Sequence, residues 1–226
     1  MIITIDGPVA SGKSSVAQAL ATHMGFYYLY TGLLYRAFAY LLKKKYDTEI
    51  SQFLTCVGPC VVQPADLVMI AGIEYGYVDG KPHITIYGTA VADELYHHDI
   101  DQLASIVSAN KDVREALLPL QRQIGKKYDI IADGRDCGSV VFPDADYKFY
   151  LTASVDVRAE RVMNDAKRKN GDVDAVKIRQ EIEARDQRDM QREVAPLRVP
   201  EGAIVIDNSL LTLEETLDAF LDYIKS

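Results

Sequence analysis

Ile2-Ile3-Thr4-Ile5-Asp6-Gly7-Pro8-Val9-Ala10-Ser11-Gly12-Lys13-Ser14 opens the chain. Residues 7–14 fill every fixed position of a GxxxxGK(S/T) phosphate-binding loop. Ile2-Ile3-Thr4-Ile5 before it is a short β-rich run, and Ser15-Val16-Ala17-Gln18-Ala19-Leu20-Ala21 after it reads as helix. That is the strand, loop, helix context the motif requires. Glycines let the backbone turn so that successive N–H groups point at phosphates, and the helix start adds unpaired donors and partial positive charge. The pattern assigns Gly7, Pro8, Val9, Ala10, Ser11, Gly12, Lys13, Ser14 and Ser15 to nucleotide triphosphate binding. Lys13 is expected to bridge the β- and γ-phosphates, with the Ser14 hydroxyl as a Mg²⁺ ligand.

Working outward, strands alternate with helices. Phe26-Tyr27-Tyr28-Leu29, Tyr128-Asp129-Ile130-Ile131-Ala132-Asp133, Tyr147-Lys148-Phe149-Tyr150-Leu151 and Ala203-Ile204-Val205-Ile206 read as strands. Thr31-Gly32 reads as a turn before a helix over Leu33 to Lys45, and Leu103 to Gly125 is helical in period. This order predicts an α/β fold with a mostly parallel sheet covered by helices. Ligands of such sheets sit at the carboxyl ends of strands, so the loop at 7–14 and Asp133-Gly134-Arg135-Asp136 should face one crevice. The stretch from about Cys60 to Asp99 differs: Val61-Val62, Leu67-Val68-Met69-Ile70 and His83-Ile84-Thr85-Ile86-Tyr87 suggest strands, and Asp79-Gly80 a tight turn.

The chain has 226 residues, 48% of them hydrophobic, enough for one domain with a small insert. No run approaches the ~20 apolar residues of a membrane span. A cleaved leader is not expected either, since removal would destroy the loop at residue 7. These readings place the protein in the cytoplasm, with no membrane partner. The net charge of −8 and pI near 5.0 disfavour broad nucleic-acid binding. Yet ten of the 25 Lys and Arg lie between Arg158 and Arg192, so a local anion site is compatible with an acidic chain. Cys56, Cys60 and Cys137 make no disulfide framework, and with His83, His97 and His98 they complete no tetrahedral metal pattern.

A phosphate loop alone does not separate GTPases, ATPases and kinases. The chain lacks an Asn-Lys-x-Asp guanine-reading motif. It carries instead arginines in short motifs: Tyr35-Arg36, Val113-Arg114-Glu115, Asp133-Gly134-Arg135-Asp136, and Arg185, Arg188 and Arg192. The last three, at i, i+3 and i+7, fall within about 60° of one helix face, which Asp189 shares. Two phosphorylated reactants bring several negative charges together and need cations converging from different elements.

The order of these motifs resembles the bacterial cytidylate (CMP) kinase family, essentially end to end. The resemblance rests on Thr4-Ile5-Asp6-Gly7-Pro8, Thr31-Gly32-Leu33-Leu34-Tyr35-Arg36 and Val113-Arg114-Glu115-Ala116-Leu117-Leu118. It continues through Ile131-Ala132-Asp133-Gly134-Arg135-Asp136-Cys137-Gly138-Ser139-Val140-Val141-Phe142-Pro143, then Arg185-Asp186-Gln187-Arg188-Asp189 and Val194-Ala195-Pro196-Leu197. It implies a P-loop nucleoside-monophosphate kinase fold with a core over about 1–59, 100–157 and 193–226. A β-rich monophosphate-binding insert would span about 60–99, and a helical lid about 158–192.

The activity implied is ATP-dependent, Mg²⁺-assisted phosphorylation of CMP and dCMP by a monomer. Tyr35 and Arg36 would help hold the monophosphate, Arg135 and Arg192 would be phosphate contacts, and Thr31 and Arg188 would also belong to the CMP site. Ser105, Arg114 and Asp136 would read cytosine, and Arg185 and Asp189 would face the nucleoside. Lys13, Arg158, Arg161 and Asp133 would be catalytic, with Arg168 a further lid cation. Three positions depart from the family pattern: Tyr30 where many members have Asp, Ser14 where some have Gly, and Cys137 where Met is common. Two other readings stay open at this point. One is a P-loop kinase for adenylate, thymidylate, shikimate or dephospho-coenzyme A; the other is a nucleotide-dependent switch that transfers no phosphate.

Overall fold

The structure is a computed structural model that describes residues 1–46, 62–91, 93–168 and 174–225. Cys56, Cys60 and Val61 fall outside the described residues. The chain divides into two compact units, residues 1–26 with 129–226 and residues 27–128.

The first unit is built on a parallel sheet. Its strands are β1 (Ile2–Asp6), β6 (Ile130–Gly134), β7 (Tyr147–Thr152) and β8 (Ile204–Asp207), in the order β6-β1-β7-β8. The central strand β1 pairs in parallel with β6 from Ile2↔Ile130 to Asp6↔Gly134, and with β7 from Ile3↔Tyr147 to Asp6↔Tyr150. Strand β7 pairs with β8 from Phe149↔Ile204 to Thr152↔Asp207. Ile3, Ile5, Ile130, Ile131, Phe149 and Leu151 are completely buried. These near-continuous apolar runs are what a sheet covered on both faces demands. The covering helices are α1 (Lys13–Met24), α5 (Val155–Arg168), α6 (Ala175–Gln191) and α7 (Leu213–Lys225). Phe149 lies 4.3 Å from Phe220 of α7, ring centroid to centroid. As the register requires, the loops after β1 and β6 leave the same edge of the sheet.

The second unit holds β2 (Tyr27–Tyr30), α2 (Thr31–Tyr46), α3 (His98–Val107) and α4 (Lys111–Lys127). It also contains an antiparallel sheet of β3 (Ile73–Val78), β4 (Lys81–Ile86) and β5 (Thr89–Ala90). The β3–β4 hairpin closes on Asp79-Gly80, both at positive φ, as that dipeptide predicts. Its core joins Leu34, Phe38 and Leu42 of α2 to Ile84 and Ile86 of β4 and Leu103 and Val107 of α3.

Three local expectations are corrected. Leu67-Val68-Met69-Ile70 is not strand but part of a 3-10 helix, Pro64–Gly72. Pro64 sits in its first turn, and the buried Asp66 carboxylate accepts from Gln63 N–H (2.8 Å), Lys45 Nζ (2.5 Å) and the Tyr46 hydroxyl (2.7 Å). That capping arrangement overrides the β character of Val68 and Ile70. Thr31-Gly32 is no turn, because α2 begins at Thr31. The single period over Leu103 to Gly125 is two helices, divided where the Asn110 side chain caps α4 by accepting from Val113 N–H at 3.1 Å.

Asp66→Ala removes the cap and the Lys45 pair together and should cost about 1–3 kcal/mol of stability. Chemical denaturation reads this as a lower midpoint. An unchanged midpoint would mean the 3-10 helix does not depend on Asp66.

Candidate active site

Glycine geometry dictates the start of the site. Gly7 has φ +150°, and a Cβ there would lie 2.0 Å from the carbonyl oxygen of Leu151 in β7. Only glycine lets the chain leave β1 this close to the neighbouring strand. Gly12, at φ +92°, precedes α1, and no side chain caps that helix start. The first-turn N–H groups of α1 are therefore left for an anion. Lys13 is buried, and its Nζ donates to the Pro8 carbonyl at 2.5 Å and the Ser11 hydroxyl at 3.3 Å. Burial and the nearby Arg135 guanidinium hold the Lys13 ammonium well below its ordinary pKa. An arriving phosphate would reverse that balance by supplying the missing negative charge.

The Ser14 hydroxyl donates to the Asp133 carboxylate at 2.7 Å, and Asp133 is buried at the end of β6. Two hard oxygen donors thus meet at the loop, a donor set that suits Mg²⁺ carried in by a nucleotide. No group of three or more His, Cys, Asp or Glu that could hold a metal occurs among the described residues.

Arg158 and Arg161 are not solvated lysine-like cations on a helix surface. Arg158 is buried, donates to the Val9 carbonyl at 3.0 Å and pairs with Asp186 at 2.5 Å. Asp186 in turn accepts from the Val9 N–H at 3.0 Å. Arg161 donates to the Ser11 carbonyl and to Asn208, each at 3.1 Å, and Asn208 Nδ2 donates to the same Ser11 carbonyl at 3.1 Å. The phosphate loop is therefore gripped at residues 9 and 11 by α5, α6 and the segment after β8. The side chain of Arg168 lies outside the described residues.

On α6 the buried positions are Ile182, Asp186 and Asp189, while Arg185 is half-buried and Arg188 exposed. Arg192 follows at the helix end in extended conformation, so the three arginines do not form one uniform stripe. Asp189 pairs with Arg135 at 2.8 Å, and Arg192 lies 3.7 Å from Asp136 and 4.0 Å from Asp189. Burial alone would raise Asp189, but the Arg135 and Arg192 guanidiniums outweigh it and hold the carboxyl below its usual range. Arg135, Asp136, Asp189 and Arg192 thus form one alternating charge cluster.

In the second unit, Thr31 and Tyr35 are buried in the first turns of α2. Arg36 donates to the Leu95 carbonyl at 2.9 Å and makes an ion pair with Asp101. Arg114 donates to the Ser108 carbonyl at 2.8 Å and lies 5.4 Å over the Tyr35 ring. The buried Ser105 Oγ has no hydrogen-bond partner among the described residues. A native protein rarely tolerates such an orphan without a ligand or water to satisfy it.

Four residues escape the sequence reading. Asp186 and Asp101 stand within or near quoted motifs, but nothing in the spacing marks them as arginine partners. Asn208 carries no local signal at all. Asp6 was legible only as the last residue before the loop. It is fully buried, and both its oxygens accept backbone N–H groups at 2.7 Å, from Cys137 and Gly138. Those residues begin a π-helical turn, Cys137–Val141.

A phosphate loop with its lysine, a Ser–Asp oxygen pair and clustered arginines on a parallel α/β sheet define a P-loop kinase. The cytidylate kinase family model matches residues 3–226. Cytidylate kinase of Methylococcus capsulatus is 37% identical over 225 residues, covering 100% of this chain and 97% of that protein. Cytidylate kinase of Bacillus velezensis is 36% identical, covering 99% and 96%. A crystal structure of an uncharacterized protein from Eubacterium ventriosum shares the fold, with TM-score 0.54 and 14% identity over 100% of this chain and 99% of that one. The chain belongs to the cytidylate kinase family.

Burial pushes the Asp6 carboxyl up to about 7 from an ordinary 3.8, against the pull of the Gly138 and Cys137 N–H groups and Lys13, with Asp136 adding to the rise. The folded protein then holds a proton that the unfolded chain has released between about pH 4 and 7. Asp6 should therefore make stability fall as pH rises through that window. Urea midpoints of wild type and Asp6→Asn, compared from pH 4 to 8, should diverge in slope there. Parallel curves would contradict the assignment.

Proposed function

We propose that this protein transfers the γ-phosphoryl group of ATP to CMP or dCMP, giving ADP and CDP or dCDP. The observation that carries this reading is the cytidylate kinase family match from residue 3 to residue 226, over a chain whose phosphate loop and arginine motifs are all present. Relatives named cytidylate kinase match over nearly their whole length. We further propose that it works as a monomer in the cytoplasm, where ATP is available. No helix of the described residues is long and apolar enough to cross a membrane.

The acceptor is a phosphate oxygen, already anionic near neutral pH, so the reaction needs no dedicated general base. Catalysis reduces to positioning and to stabilising charge as the phosphoryl group passes in line. Residues 7–15 cradle the ATP phosphates, and Lys13 follows the charge that develops on the transferring group. Ser14 and Asp133 would hold Mg²⁺, directly or through its waters; when bound, the metal neutralises phosphate charge. Arg158 and Arg161, already held at the loop by Asp186 and Asn208, add fixed cations that need no reorganisation. Residues 158–192 are proposed as the lid and about 60–99 as the insert of the monophosphate region. A closed lid excludes water and suppresses simple hydrolysis of ATP.

Tyr35 and Arg36 are assigned to the monophosphate, Arg135 and Arg192 to phosphate contacts, Arg185 and Asp189 to the nucleoside, and Thr31 and Arg188 to the CMP site. Ser105, Arg114 and Asp136 are assigned to the base. Cytosine presents an amino donor at N4 where uracil has a carbonyl, so a carboxylate such as Asp136 favours cytosine. The orphaned Ser105 Oγ would gain a partner, and a site with buried polar groups rejects a ligand that leaves them unpaired.

Initial rates with Mg²⁺-ATP and CMP, dCMP, UMP, AMP, GMP and dTMP test the reading. Turnover is expected with CMP and dCMP, with the others at least about a hundredfold weaker in kcat/KM. Preference for another monophosphate would overturn the base assignments. Lys13→Ala should lower kcat by roughly a hundredfold or more, the scale expected for one preorganised charge-stabilising group. Retention of wild-type turnover by that variant would overturn its role.

A further inference from the structure

Asn208 stands one residue beyond β8 and belongs to none of the motifs of the phosphate loop or the arginine cluster, yet it is only 4% exposed. Its backbone N–H donates to the Thr152 carbonyl at 2.9 Å, which continues the β7–β8 pairing past Asp207. Just beyond it, the Ser209 N–H and hydroxyl both donate to Asp207 Oδ1, at 2.8 and 2.5 Å. The Ser209 hydroxyl oxygen accepts from the Ser154 N–H at 2.9 Å, immediately before α5 begins. The segment around Asn208 is therefore fastened to β7 on one side and to the start of α5 on the other.

The Asn208 side chain meets two groups of opposite character. Its Nδ2 donates to the Ser11 carbonyl at 3.1 Å, and its Oδ1 accepts from Arg161 Nη1 at 3.1 Å. A carbonyl only accepts and a guanidinium only donates, so the amide has one orientation. Arg161 projects from α5. Its Nη2 donates to the Asn208 backbone carbonyl at 2.9 Å, and its Nη1 also reaches the Ser11 carbonyl at 3.1 Å. The guanidinium is thus clamped by both the side chain and the backbone of one residue. A Cβ on Gly12 would lie 3.6 Å from Asn208 Nδ2 and 3.7 Å from Arg161 Nη1. Both groups therefore lie against the residue from which α1 starts, where the helix N–H groups await an anion.

We infer that Asn208 is a positioning residue for phosphoryl transfer: its neutral amide, bridging the Ser11 carbonyl and Arg161, sets the guanidinium against the phosphate loop before ATP arrives. The inference rests on the reading of Arg161 as a catalytic cation. Arg carries five N–H donors, and these bonds use only part of that set, so others remain for phosphate oxygens. Only an amide suits position 208. A carboxylate would keep the Arg161 bond but set an oxygen against the Ser11 carbonyl, and its charge would compete with the incoming phosphates. An apolar side chain would give Arg161 no acceptor. Fixing a long side chain beforehand reduces the rotamer freedom lost on binding and the reorganisation needed during transfer.

The test is steady-state kinetics of Asn208→Ala, Asn208→Asp, Arg161→Ala and Asn208→Ala/Arg161→Ala, each with thermal unfolding and calorimetric titration of Mg²⁺-ATP. Asn208→Ala should lower kcat/KM for ATP about tenfold, the scale of one lost hydrogen bond to a charged group, with KM for CMP unchanged. Asn208→Asp keeps the side-chain size and the Arg161 acceptor, and should lower kcat/KM for ATP at least as far. In the Arg161→Ala background, Asn208→Ala should change kcat/KM by less than about twofold, because the amide acts through the guanidinium. A lowered unfolding midpoint with wild-type kcat/KM in Asn208→Ala marks a merely structural amide and overturns the inference. If Asn208→Ala does not fold, wild-type kcat/KM in Asn208→Asp overturns it instead. Wild-type kcat/KM in Arg161→Ala overturns both the inference and the catalytic reading of Arg161. The full loss persisting in the double variant also overturns it, since Asn208 would then act without Arg161. A wild-type protein that does not phosphorylate CMP overturns the proposed function, and the titration then decides the inference alone. It requires Kd for Mg²⁺-ATP to rise about threefold or more in Asn208→Ala, with no further rise when Arg161→Ala is added. An unchanged Kd overturns it.

Discussion

The first unit turns on one buried carboxylate. Asp6 ends the central strand, and Gly7 begins the phosphate loop with its backbone pressed against the Leu151 carbonyl. In the same place Asp6 receives the N–H groups of Cys137 and Gly138, and so fixes the turn that follows Arg135 and Asp136. Strand pairing supplies the register, Asp6↔Gly134. The two hydrogen bonds supply what pairing cannot, the direction of the chain after β6. Removing the carboxylate would leave two buried donors unpaired, at about 1–3 kcal/mol each. The phosphate loop and the turn that follows Arg135 and Asp136 are therefore set by the two sides of a single strand end.

Around that point the charges are arranged in alternation. Lys13, Arg158, Arg135 and Arg192 are set among Asp133, Asp186, Asp189 and Asp136. Burying such groups is costly, and a pair with imperfect geometry contributes little to stability. The observed bonds have a different use. Arg158 and Asp186 satisfy both the carbonyl and the N–H of Val9, and Asn208 and Arg161 satisfy the carbonyl of Ser11. The loop backbone is thus held from outside while its helix-start donors stay directed at the ligand. This is preorganisation of the kind that charge-stabilising catalysis depends on.

Much of this is legible in the sequence because it is local. The phosphate loop needs particular residue types at particular spacings, and Ile130-Ile131-Ala132 is an apolar run that suits a buried strand. The β3–β4 turn announces itself in Asp79-Gly80. Errors arise where a non-local contact decides. Leu67-Val68-Met69-Ile70 looks like strand until Asp66 is seen gathering Lys45 and Tyr46. The arginine spacing on α6 is visible in the sequence. That Asp186 and Asp189 are the buried partners depends on elements that meet only in the fold. Asn208 and Asp101 were invisible for the same reason: their partners lie 47 and 65 residues away.

Transfer of a phosphoryl group between two nucleotides differs from hydrolysis and from binding alone in where the phosphoryl group ends. Product analysis after incubation with γ-labelled ATP, Mg²⁺ and CMP tests it most directly. The label is expected to leave ATP and be recovered in CDP, with ADP formed in equal amount. Label recovered only in inorganic phosphate, or retained in ATP while the protein stays nucleotide-bound, would contradict it.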